Sequence, residues 1–78
     1  MDATRLEALT TARRLIRTLE SAPNPLQQAQ TAVTTLVRAR GWRPDEEHAI
    51  LEVATWLAQR PPLEALKPRC QRLLRRLA

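Results

Sequence analysis

Proline stands at positions 23, 25, 44, 61, 62 and 68 of this 78-residue chain, and the single glycine at 41. Proline has no N–H to donate inside a helix, and its ring meets the carbonyl four residues back. These positions therefore limit how far any helix can run. Between them, apolar residues recur at spacings of three and four, the period of one helix face. Leu and Ala supply most of the 44% hydrophobic content, and aromatics reach only 3%. Helix formers thus dominate, and the residues that strands favour are few. The expected fold is all-α, a small bundle of four short antiparallel helices. They fall at about 3–21, 25–40, 44–59 and 62–77, the last kinked or broken at Pro68. Short connections between amphipathic helices make neighbours antiparallel.

Each segment carries its own start and stop. Asp2 or Thr4 can cap the first helix, and "TRLE" at 4–7 has the form of a capping box. Leu6, Leu9, Ala12, Ile16 and Leu19 form its stripe, widened by Leu15. "SAPNP" stops it, and Asn24 followed by Pro25 restarts the chain as a cap and a first helical residue. Leu26, Ala29, Val33 and Leu36 then make a seam, with Ala32 and Val37 beside it. Gly41 is expected to end this helix in the left-handed conformation, with Trp42 folding back onto the last turn.

Arg38 and Arg40 suit the negative end of the second helix, and Asp45, Glu46 and Glu47 suit the positive end of the third. The dense stretch "RARGWRPDEEH" at 38–48 is therefore mostly punctuation between two helices. The third helix has Ile50, Val53, Ala54 and Leu57 as its seam and Trp56 beside it, and "RPP" at 60–62 ends it. The last segment has Leu63, Leu66, Cys70, Leu73 and Leu77 at strict three-four spacing.

Seventy-eight residues make a single domain, 1–78, with a thin core. Residues 61–78 form a basic C-terminal helix that Pro61, Pro62 and Pro68 partly uncouple from the rest. The N-terminal "MDATRLEALTTARRL" has no apolar core of a secretory signal, and no run approaches a membrane span, so the expected location is the cytoplasm.

The residues argue against catalysis, and no cofactor or small-molecule substrate is expected. One glycine cannot build a phosphate-cradling loop. Cys70 lies on an apolar seam, where a cysteine is a small core residue with a raised pKa. His48 and Glu52 share a helix face at i, i+4, but no third or fourth metal ligand is evident, so no metal site is expected.

Binding is what remains. The net charge is +5, and Lys67 is the only lysine among thirteen cations. Arginine makes bidentate contacts to carboxylate and phosphate that lysine cannot. The expected role is a non-enzymatic adaptor, chaperone or regulator. It would present Trp42, Arg43, Lys67, Arg69, Arg72, Arg75 and Arg76, together with the leucine seam of the last segment, to an acidic protein surface or to a second copy. The alternative is a non-specific nucleic-acid binder using Arg13, Arg14, Arg17, Arg69, Arg72 and Arg76 on phosphates. A helix-turn-helix across 25–59 fits poorly, because the reading helix would present Asp45, Glu46 and Glu47 to the groove. A membrane-surface role fits poorly as well, because the basic C-terminal stripe has no Trp or Phe.

Overall fold

The computed structural model describes residues 4–78. Four helices carry the fold: α1 (Arg5–Arg17), α2 (Pro25–Arg38), α3 (Pro44–Ala58) and α4 (Leu63–Leu77). A short 3-10 turn, Leu19–Ser21, follows α1. Among the described residues there is no strand, and one isolated parallel bridge joins Thr4 to Arg40. The all-α bundle expected from the proline spacing is the fold observed.

The caps at the first two helices form where the sequence puts them. Thr4 Oγ1 accepts from the Glu7 N–H at 3.2 Å and donates to Glu7 Oε1 at 3.0 Å. Asp2, the other candidate cap, and Ala3, the expected first residue of that helix, lie outside the described residues. Asn24 Oδ1 accepts from the Gln27 N–H at 3.2 Å, with Pro25 at the first helical position. Both interactions satisfy N–H groups that have no partner inside the helix.

Other local expectations need correction. α1 ends at Arg17 rather than running to residue 21. The Thr18 hydroxyl donates to the carbonyls of Arg14 and Leu15, and Gln28 Nε2 donates to Leu15 O at 2.6 Å. These side chains supply donors to the last carbonyls of α1, which lack partners inside the helix, and the chain tightens into a 3-10 turn. α4 is not broken at Pro68: one helix runs through it. At about 100° per residue, Pro68 lies nearly opposite the buried face of Leu66, Cys70, Leu73 and Leu77. Pro68 is exposed, so the carbonyl it leaves free, that of Glu64, points to solvent and can bond water.

Gly41 is not the residue that ends α2. The helix stops at Arg38, and Ala39 takes extended geometry with φ −76° and ψ 158°. Gly41 adopts φ +97° two residues later, inside the linker, so its freedom serves the reversal toward α3. α2 is instead capped by a side chain. Trp42 does fold back, and its indole Nε1–H donates to Leu36 O at 2.8 Å. At the end of α3 the left-handed position is filled by Arg60, with φ 53°.

The core lies where all four helices meet. α2 packs against each of the other three, and α4 does the same. α2 turns Ala29, Ala32, Val33 and Leu36 inward, and the two alanines let its neighbours approach closely. α4 contributes Leu66, Cys70, Leu73, Leu74 and Leu77. Two residues expected in seams are exposed instead, Leu6 at 74% and Leu63 at 60%, as is Val37, expected beside the α2 seam, at 44%. Leu6 sits about 110° around α1 from the centre of its buried face, which Ala8, Leu9, Ala12 and Ile16 define. Leu63 points the right way but belongs to the first turn of α4.

One buried polar cluster was not expected. Glu46 is 7% exposed. Its Oε1 accepts from the Arg43 N–H at 3.0 Å, and its Oε2 faces Arg5 Nη2 at 3.3 Å. The Arg43 side chain offers no acceptor, so only this half of a capping box can exist. Arg5 Nη2 also donates to Leu77 O at 3.3 Å, and its guanidinium stands 5.5 Å from the Trp42 ring centroid. One arginine thereby ties the starts of α1 and α3 to the ends of α2 and α4. Glu46→Ala is expected to lower unfolding free energy by about 1–2 kcal/mol, since it removes a cap and a partly buried ion pair. Glu46→Gln keeps an acceptor for Arg43 and should cost about half as much. Urea unfolding of the two variants measures the difference.

Candidate functional site

The place where basic side chains converge is the groove between α3 and α4. On α4, Arg69, Arg72 and Arg76 fall at i, i+3 and i+7, along the edge of the helix that faces α3. Between them and α3 lies a narrow apolar floor of Ala49, Val53 and Leu73, which the bundle leaves only 8%, 5% and 4% exposed. The open space is about 250 Å³. Among the described residues Glu52 is the one carboxylate lining the groove, and it leans toward His48, whose Nε2 is 3.8 Å from Glu52 Oε1.

The three arginines differ in how they are held. Arg69 is half-buried, and its guanidinium lies over the Trp56 ring at 5.1 Å from the centroid. A guanidinium over an aromatic face is attracted by the ring's electron density and loses some of its freedom to rotate. Arg72 and Arg76 are exposed. Trp56 therefore packs against the core and carries Arg69 at the edge of the groove without lining the groove itself.

The other expected site residues lie elsewhere. Lys67 is on the opposite flank of α4, where Nζ pairs with Glu20 Oε1 at 3.2 Å. Arg75 is exposed, away from both flanks. Trp42 is half-buried and engaged with Leu36 O and Arg5, so it works as a lock between helix ends. Arg43 is exposed and supplies the N-cap backbone of α3. Arg13, Arg14 and Arg17 are exposed on α1, and none of the groove-lining residues comes from α1. The six arginines grouped for nucleic acid thus do not line one groove.

Burial pushes the Cys70 thiol up from its ordinary 9.0 to about 11, partly offset by the neighbouring Arg69 guanidinium. The side chain is fully enclosed and stays a thiol at neutral pH. Among the described residues, no three His, Cys, Asp or Glu side chains gather into a possible metal site. Among the same residues, no helix is long and apolar enough to cross a membrane.

Compared with known proteins, the chain matches no family model, no curated protein and no solved structure. Sequence reasoning named the groove's three arginines but not its floor, nor the stacking of Arg69 on Trp56. A thirteen-residue separation along the chain gives no sign of that contact.

Proposed function

We propose that the chain is a non-enzymatic binding module, an adaptor or regulator, whose α3–α4 groove takes an acidic surface of a protein partner. The observation that carries this reading is the pairing of three guanidinium groups with an apolar floor. Carboxylates of a partner can engage Arg69, Arg72 and Arg76 bidentately, and its apolar side chains can close over the small part of Ala49, Val53 and Leu73 that the bundle leaves uncovered. A phosphate backbone has no apolar group to place on that floor.

The test is a titration of the full chain with poly-L-glutamate and, separately, with duplex DNA, at roughly 50 mM and 200 mM salt. Poly-L-glutamate should bind, weaken as salt rises, and be lost on reversing Arg72 and Arg76 to Glu. Duplex DNA bound more tightly than poly-L-glutamate would favour the nucleic-acid reading. A dimer mass by light scattering that vanishes with the same double reversal would place a second copy on the groove.

A further inference from the structure

The groove's spacing says more about the occupant than its charge does. Arg69, Arg72 and Arg76 climb α4 over seven residues, a rise of about 10.5 Å. An α-helix with carboxylates at i, i+3 and i+7 has the same rise and places them along one edge. Residues at i+1, i+4 and i+8 of such a helix lie next to that edge, where they meet the floor of Ala49, Val53 and Leu73. An extended acidic strand cannot match both rows, because its side chains alternate faces at about 3.3 Å per residue.

From this the geometry points to an acidic amphipathic helix of another protein, laid lengthwise in the α3–α4 groove with one carboxylate opposite each arginine. The inference rests on the acidic-partner reading above and adds the partner's conformation and register. Arg69 is the pre-set member of the row. Its stacking on Trp56 has already removed part of the side-chain freedom that binding would otherwise cost. Trp56 is accordingly a positioning residue for Arg69, and its ring should sense occupancy of the groove.

The experiment uses the full chain and two synthetic peptides of identical composition. One carries Glu at i, i+3 and i+7 with Leu at i+1, i+4 and i+8; the other has these residues permuted. Binding is followed by NMR of the two indole N–H resonances, assigned with Trp56→Phe. The patterned peptide should bind at least about ten-fold tighter than the permuted one and shift the Trp56 resonance, leaving Trp42 unmoved. Arg72→Gln with Arg76→Gln should weaken it by about ten-fold. Both positions are exposed, so this variant keeps its fold. Trp56→Phe should retain most of the affinity.

Equal binding of the two peptides, or binding without a Trp56 shift, overturns the helix-in-groove inference while the acidic-partner reading stands. Binding of neither peptide, with poly-L-glutamate also unbound, overturns both. A tighter Trp56-shifting complex with duplex DNA assigns the groove to nucleic acid and overturns the inference too.

Discussion

Deleting residues 61–78 is expected to leave a chain with no cooperative thermal unfolding. α4 supplies Leu66, Cys70, Leu73, Leu74 and Leu77, five of the nineteen buried apolar residues among those described. Burying four leucines and a cysteine contributes roughly 8–10 kcal/mol of transfer free energy. A domain this small has a net stability of roughly 3–5 kcal/mol. The remaining helices would also expose the faces of α1, α2 and α3 on which α4 packs. Circular dichroism melts of residues 1–60 against the full chain measure this. A sharp transition and native-like helix content in the short chain would show that the first three helices stand alone.

The second large effect concerns alkaline pH. Cys70 titrates at about 11 in the folded chain against 9.0 when exposed, because burial disfavours the thiolate. Between those values the folded state keeps a proton that the unfolded state has released. Fewer protons bound in the unfolded state means that stability falls as pH rises. The contribution is fully present below about pH 9 and is lost by about pH 11, a change of about 2–3 kcal/mol. Cys70→Ala should be less stable at pH 7, because it leaves a small void. Its stability should fall less steeply across the same window. Urea midpoints of both proteins from pH 7 to 11 give the comparison, and parallel curves would contradict the assignment to Cys70. Alkylation of Cys70 at neutral pH should likewise wait for unfolding, since the sulfur is fully enclosed.

The parts of the fold that could be read from the sequence are those set by local chemistry. Proline placement, the Asn24–Pro25 restart and the Thr4 cap each depend on neighbours within a few residues, and each appears as expected. The seams of α2 and α3 were legible because Val33, Leu36, Ile50, Val53 and Leu57 repeat at helical spacing and are all buried. Leu6 shows the limit of that pattern. It fits a three-four stripe with Leu9, but the bundle settles the buried face around Ala8 and Ala12, and small residues give a weak periodic signal.

Glu46 left a signal that was present but easy to misread. It stands four residues before Ile50 and seven before Val53, in register with the apolar seam, so a helical wheel places its carboxylate inward. Its chemistry suggested a dipole partner at a helix start instead. It does serve there, through the Arg43 N–H, while also meeting Arg5. Arg5 itself was not legible: its partners Glu46 and Leu77 O lie 41 and 72 positions away, and only closure of the bundle brings them together. The same holds for Gln28, which takes Leu15 O and helps end α1.

Of the candidate site, the arginine row was legible and the rest was not. Periodicity puts Arg69, Arg72 and Arg76 on one flank of α4, but it cannot say which helix that flank faces. The structure sets α3 there, with Ala49 and Val53 as the floor and Trp56 under Arg69. Lys67, grouped with the same basic surface by charge alone, faces Glu20 on the other side.

All of this depends on α4 folding as one unit with the three helices before it, since only then does the arginine row meet an apolar floor. Native-state hydrogen exchange of the full chain tests that claim most directly. The amides of Cys70, Leu73, Leu74 and Leu77 should open with the same free energy as those of Val33, Leu36 and Val53. Exchange in α4 that runs far ahead of α2 and α3, with the latter still protected, would show a detached C-terminal helix and leave the groove without one of its walls.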